Sequence, residues 1–226
     1  MHVQIKGEAE RCRCRQGQGC EGGDVGSSSS KPNQHPDIRN VKKLLHADLV
    51  SRRRTEADAA TAPRIPVVVV LQNIRSLYNV GSIFRTADAM AIRQLVLTGY
   101  TPTPPNDAIS KTALGADRTV PWKHVASAAE AVTALRDEGY KVFAVELTDD
   151  SRDVSTMNLG DMPMALVLGN EIAGVTDDVL ALCDGAFEIP MYGVKHSLNV
   201  AVAAGIMMYA AARCATFANT STTETT

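Results

Sequence analysis

An α/β domain, with a mostly parallel sheet and helices on both faces, is the fold class this sequence predicts. Three observations lead to it. Five short apolar runs recur along the chain: "VVVVL" (67–71), "QLVLT" (94–98), "KVFAVEL" (141–147), "MALVL" (164–168) and "AFEIP" (186–190). Helix-forming segments separate them. The runs are apolar at successive rather than alternate positions, as in strands buried on both faces. At 226 residues the chain is long enough for one such domain and an appendage.

In chain order, residues 1–35 are rich in Gly, Ser, Gln and charge and are expected to form a disordered tail. Residues 36–62 are expected to form a helical N-terminal extension, because Val41, Leu44, Leu45 and Leu49 share one helical face. The "SRRR" run there reads as a solvated helix end. "TAPRIP" breaks the pattern, and the α/β domain is expected over 63–218, with a short tail at 219–226. The first apolar run passes into "NIRSLYNVGSIFRTADAM" (73–90), where Val80, Ile83, Phe84, Ala87 and Met90 fall at helical spacing. This predicts a helix near 80–91. Further helices are expected near 127–138 and 176–183, with a long final helix from about 197.

Charge is unevenly distributed. Residues 1–62 hold 11 Lys/Arg against 8 Asp/Glu, whereas the remainder holds 12 against 17. A mildly acidic body argues against high-affinity, nonspecific nucleic-acid binding, while leaving room for a local basic site. The most apolar stretch, "SLNVAVAAGIMMYAAARCATF", is alanine-rich and includes Ser197, Asn199 and Arg213, so it reads as a buried helix rather than a membrane span. The N-terminus has no apolar signal core, and a cytoplasmic protein is expected. Cys12, Cys14 and Cys20, with His35 nearby, match no common zinc spacing, and no metal is expected. Cys183 and Cys214 lie in apolar surroundings and read as small core residues.

Ligands of parallel sheets bind beyond the carboxyl ends of the strands, and polar residues gather after three of the runs. They are Asn79 and Arg85, then Asn170 and Glu171, then Lys195, His196, Ser197 and Asn199. Each has an ordinary structural reading. Asn79 and Ser197 suit helix N-caps, Glu171 suits a first helical turn, and Arg85 suits an ion pair with Glu171 or Asp88. Their joint placement after three strand ends points instead to a site. There is no G-x-G-x-x-G, no G-x-x-x-x-G-K-[ST] and no G-x-S-x-G, so Rossmann-type cofactor binding, P-loop chemistry and a hydrolase serine lose support.

"NIRSLYNVGSIFRTADA", "ALVLGNEIAGV" and "IPMYGVKHSLNVAVAAGI" resemble, in order and spacing, the three motifs of the SpoU (TrmH-type) RNA 2′-O-methyltransferases of the SPOUT superfamily. "KTALGAD" (111–117) also looks like short bacterial members of the group. The resemblance covers about residues 64–213. It implies a C-terminal trefoil knot, with S-adenosyl-L-methionine bound in the knot loops near Val145, Gly169, Ile189, Ser197 and Leu198. It implies transfer of a methyl group to a ribose 2′-hydroxyl of tRNA or rRNA. Arg85 matches the arginine proposed to activate that hydroxyl, and Asn79, Glu171, Ser197 and Asn199 match residues that support the site. A guanidinium has no acceptor atom and a very high pKa, so Arg85 is either a base in a strongly perturbed site or a clamp on a neighbouring phosphate. The resemblance also implies a homodimer, with the apolar final helix as a contact surface. Two other readings of the same fold stay open: methylation of a base nitrogen, and RNA binding without catalysis.

Overall fold

The computed structural model describes residues 42–52 and 55–220. It divides into two units, Met1–Ser51 and Arg52–Thr226. The expected tail at 1–35, with Cys12, Cys14, Cys20 and His35, lies outside the described residues, as do residues 221–226. In the first unit the helix α1 (His46–Ser51) is the described element, and Leu44, Leu45 and Leu49 are exposed.

The second unit opens with α2 (Glu56–Thr61). Thr55 caps it by accepting the Asp58 N–H, and the Asp58 carboxylate accepts the Thr55 N–H in return. Seven strands follow: β1 (Ile65–Gln72), β2 (Ile92–Thr98), β3 (Trp122–Val125), β4 (Lys141–Val145), β5 (Arg152–Asp153), β6 (Met164–Leu168) and β7 (Gly185–Glu188). They form one sheet in the order β3-β2-β1-β6-β4-β7-β5, and every neighbouring pair is parallel. The helices are α3 (Leu77–Ala89), α4 (Asp107–Ala113), α5 (Ala116–Thr119), α6 (Ala128–Asp137), α7 (Asp177–Leu180) and α8 (Val200–Thr220).

Successive strand residues face opposite ways, so an unbroken apolar run feeds two cores at once. Val67, Val69 and Leu71 of β1 join Ile83 and Phe84 of α3, Ile109 of α4 and Met207 and Met208 of α8. Val68 and Val70 join Ala131, Val132 and Leu135 of α6 and Val179 of α7 on the other face. The predicted two-faced α/β sheet is therefore present.

Several boundaries differ from the sequence expectation for local reasons. The run at 141–147 is a strand over Lys141–Val145; the Glu146 N–H still donates to the Phe187 carbonyl of β7, while its side chain accepts the Val175 N–H of a neighbouring loop. The run at 186–190 is paired over Gly185–Glu188. The final helix starts at Val200 rather than near 197, since the Asn199 side chain accepts the Ala201 N–H and Asn199 acts as the cap. The segment 176–183 is helical only over Asp177–Leu180. Strands β3 and β5 lie at the two sheet edges, where short and polar "WKHV" and "RD" sequences leave no apolar signal.

Candidate functional site

The loops following β1, β6 and β7 meet at the carboxyl end of the sheet. Sequence places Ser76 at the mouth of α3, where its hydroxyl accepts the Asn79 N–H at 3.3 Å. Ser76 therefore does the capping that Asn79 could also have supplied, and the Asn79 side chain is left for other contacts. Its amide nitrogen donates to the Glu171 Oε1 at 3.1 Å, and its oxygen accepts from the Asn199 amide at 3.2 Å. The second Glu171 oxygen accepts the Arg75 N–H at 3.4 Å. Residues 92 and 120 positions apart from Asn79 are thus joined through one side chain.

Asn170 fixes this junction. Its amide nitrogen donates to the Asn73 carbonyl at 2.8 Å and to the Tyr100 hydroxyl at 3.0 Å, while its oxygen accepts the N–H groups of Ile172 and Ala173. The Asn73 side chain in turn accepts the Tyr100 N–H at 3.3 Å. Such side-chain bonds to backbone groups let an irregular loop hold one shape without secondary structure. Gly169 is required here by the chain itself. A Cβ at this position would overlap the backbone of Gly174 and Val175, which doubles back to pair with Asn170.

Beside the junction is a cleft of about 320 Å³, in the size range of small-molecule sites. Val145, Gly169, Ile189, Ser197 and Leu198 all line it, together with Glu171. Asn79 and Asn199 sit behind Glu171 through the bonds above. Ser197 is exposed and precedes the capping residue Asn199, so it is not itself the N-cap of α8.

Glu146 is a residue that the sequence reading missed. Its Oε2 accepts the Val175 N–H at 3.0 Å and its Oε1 accepts the Leu147 N–H at 3.1 Å, pinning the 169–175 loop over the cleft. An acid directly after the apolar run "KVFAV", at the carboxyl end of a parallel strand, was the available signal.

Arg85 stands apart. It is exposed on α3 and lines a second, open cleft of about 790 Å³ with Arg64, Asp88 and Leu114. The ordinary structural alternative, an ion pair with Glu171 or Asp88, is not formed: Glu171 accepts from Asn79 and the Arg75 N–H, and Asp88 accepts the Thr119 hydroxyl at 2.7 Å. Arg64 in the same cleft is committed to the carbonyls of Ile92 and Thr119.

With this geometry, the sequence can be set beside known proteins. The family model described as the SpoU rRNA Methylase family matches residues 66–209. The chain belongs to that family. Among SpoU relatives, the tRNA (guanosine(18)-2′-O)-methyltransferase of Thermus thermophilus is 32% identical over 163 residues, covering 72% of this chain and 82% of the relative. A Staphylococcus haemolyticus protein assigned to the TrmH family of tRNA/rRNA methyltransferases is 35% identical over 145 residues. That match spans 64% of this chain but only 57% of the staphylococcal protein. The crystal structure of the A. aeolicus TrmH/SpoU tRNA modifying enzyme superposes with a TM-score of 0.64 at 25% identity, covering 73% of this chain and 82% of the other. The AdoMet-bound rRNA methyltransferase of Sinorhizobium meliloti superposes with a TM-score of 0.60 at 30% identity, covering 65% of this chain and 56% of the other.

Proposed function

We propose that this SpoU-family chain is an S-adenosyl-L-methionine-dependent methyltransferase acting on a ribose 2′-hydroxyl of tRNA or rRNA. The observation that supports this most is the convergence of Glu171, Asn79 and Asn199, from three separate loops, beside the cleft lined by Val145, Gly169, Ile189, Ser197 and Leu198. A relative whose name specifies 2′-O-methylation of tRNA, and one whose structure contains AdoMet, point the same way.

The cleft suits the cofactor. Val145, Ile189 and Leu198 offer apolar walls to a purine, Ser197 offers a hydroxyl, and Glu171 and Glu188 place carboxylates where a sulfonium cation is favoured. When bound, the cofactor supplies an electrophilic methyl group. The chain's own residues hold the loops in place: Glu146 and Asn170 shape the 169–175 segment, and Asn79 orients Glu171. Arg85 is read as the phosphate clamp rather than the base, because its exposed guanidinium lies outside the cleft and matches a phosphate bidentately. In this reading the C-terminal segment is threaded as a trefoil knot. The protein works in the cytoplasm as a homodimer, whose partner completes the RNA groove.

The decisive experiment incubates the protein with RNA and methyl-labelled cofactor, then hydrolyses the RNA in alkali. Ribose methylation is expected to leave the label in an uncut dinucleotide, because a 2′-O-methyl group cannot attack the adjacent phosphate. Label in a mononucleotide would assign the methyl to a base instead. Absence of cofactor binding by calorimetry would leave an RNA-binding protein of the same fold. Sedimentation of a monomer at micromolar concentration would remove the dimer.

A further inference from the structure

We propose that Tyr100 is a stacking platform for a base of the RNA strand being methylated, an inference that rests on the methyltransferase reading above. Tyr100 follows β2 at the carboxyl end of the sheet and is 61% exposed. An exposed ring is ordinarily free to rotate, yet this one is fastened at both ends. Its backbone N–H donates to the Asn73 Oδ1 at 3.3 Å, and its hydroxyl accepts from the Asn170 amide at 3.0 Å.

The residues on either side are fixed as well. The Gly99 carbonyl accepts from the His124 Nε2 at 2.9 Å, and the Gly99 N–H donates to the Val125 carbonyl at 3.3 Å. Thr101 is buried, and its hydroxyl donates to the Leu71 carbonyl and accepts the Ile74 N–H, both at 3.0 Å. The ring is thus ordered before any ligand arrives, so a base stacking on it costs little side-chain entropy. Tyr78, Tyr192 and Tyr209 are exposed too, but among the described residues nothing bonds their hydroxyls.

The position suits an acceptor strand. Asn170 lines the cleft proposed for the cofactor, so one hydrogen bond links the Tyr100 hydroxyl to the cleft wall. Arg75, whose N–H donates to Glu171, is exposed, and among the described residues its guanidinium has no partner. An aromatic face and a cation beside Asn170 and Glu171 are the pair of groups that holds single-stranded RNA: the ring takes a base and the guanidinium takes a phosphate. A protein surface docked on Tyr100 would bury that charge as well, whereas an RNA strand neutralises it.

The test uses the full chain with S-adenosylhomocysteine, RNA purified from cells lacking this chain as methyl acceptor, and the variants Tyr100→Leu and Tyr100→Phe. Both variants lose the bond to Asn170, but only Tyr100→Leu loses the ring. S-adenosylhomocysteine is expected to bind Tyr100→Leu within about threefold of wild type by calorimetry. The RNA concentration for half-maximal methylation by Tyr100→Leu is expected to rise about tenfold, in line with the loss of one stacked base. Its rate at saturating RNA is expected to change by less than that. Tyr100→Phe is expected to recover most of the loss. Independently of turnover, tetranitromethane is expected to nitrate Tyr100 in the free chain, as located by mass spectrometry. Saturating RNA is expected to shield the ring where S-adenosylhomocysteine does not.

Half-saturation of Tyr100→Leu within about twofold of wild type, or nitration unchanged by RNA, overturns the platform and leaves the methyltransferase reading intact. Equal losses in the two variants, or lost S-adenosylhomocysteine binding by Tyr100→Leu, overturn it by assigning Tyr100 to the support of Asn170. A ring already shielded in the free chain overturns it in favour of a contact between copies. A wild-type chain that binds no S-adenosylhomocysteine and methylates no RNA overturns both readings.

Discussion

A guanidinium on the exposed side of a helix is stabilised by water, so an uncommitted arginine has its full set of donors available for an incoming anion. Among the described residues Arg85 has no hydrogen-bond or ion-pair partner, and Arg64 in the same cleft donates to the carbonyls of Ile92 and Thr119. Two parallel N–H bonds to a phosphate need the planar fork, which an ammonium lacks. Arg85→Lys is therefore expected to lower methylation by about tenfold or more, consistent with losing one charge-assisted bond of roughly 1.5–3 kcal/mol. It should leave S-adenosylhomocysteine affinity unchanged, as measured by calorimetry beside single-turnover rates. The sequence marked which residue types would gather but shifted their duties. Ser76 and Asn199 perform the capping that Asn79 and Ser197 could also have supplied, and this frees the Asn79 side chain to join Glu171 to Asn199. Capping depends on a side chain reaching a particular N–H, and that was not fixed by residue type alone.

At the scale of elements, α3 and α4 approach so closely that Gly81 has no room for a side chain. A Cβ there would overlap the Ile109 carbonyl oxygen and the Thr112 hydroxyl. Thr112 can rotate, but a helix carbonyl cannot. Gly81→Ala gains helix propensity of about 1 kcal/mol, yet the overlap outweighs it. The variant is expected to be less stable by about 1–3 kcal/mol, the usual range for overpacking, as measured by urea denaturation. Because α3 presents both Asn79 and Arg85, cofactor and RNA binding should weaken with it. The helix itself was legible from the spacing of Val80, Ile83, Phe84 and Ala87, all of them buried. Its partner α4 was not, because "DAISKTA" buries only Ile109 and Ala113 and shows no extended apolar stripe.

For the whole molecule, the far edge of the sheet is fastened by Arg152. Its guanidinium holds both oxygens of the buried Asp161 at 3.0 and 3.1 Å and lies over the Phe187 ring at 4.6 Å. Burial pushes the Asp161 carboxyl upward, but the Arg152 bonds, the Asn158 N–H and the Arg152 and Lys141 charges together hold it below its ordinary value. A carboxyl lowered by folding stabilises the protein above its unfolded pKa of about 3.9, and that contribution is lost as pH falls through the folded value. Arg152→Met is expected to cost on the order of 1.5–3 kcal/mol at neutral pH. The gap from wild type should narrow as the pH drops below about 4, leaving the part owed to the Phe187 ring and the Thr156 carbonyl, and denaturant titrations across pH measure it.

The sequence by itself determined the fold class, the two-faced core and the three polar segments. Those properties depend on residue order: unbroken apolar runs supply both faces of a sheet, and helical spacing supplies the stripes that cover them. It also determined family membership, through three ordered motifs over residues 66–209. Only the tertiary structure decided that Asn79, Glu171 and Asn199 share one hydrogen-bonded junction, that Glu146 and Asn170 shape the cleft beside it, and that Arg85 lines a second cleft. Those relations join positions 29 to 120 residues apart. Contacts across such separations depend on how strands are ordered in the sheet, which no local pattern encodes.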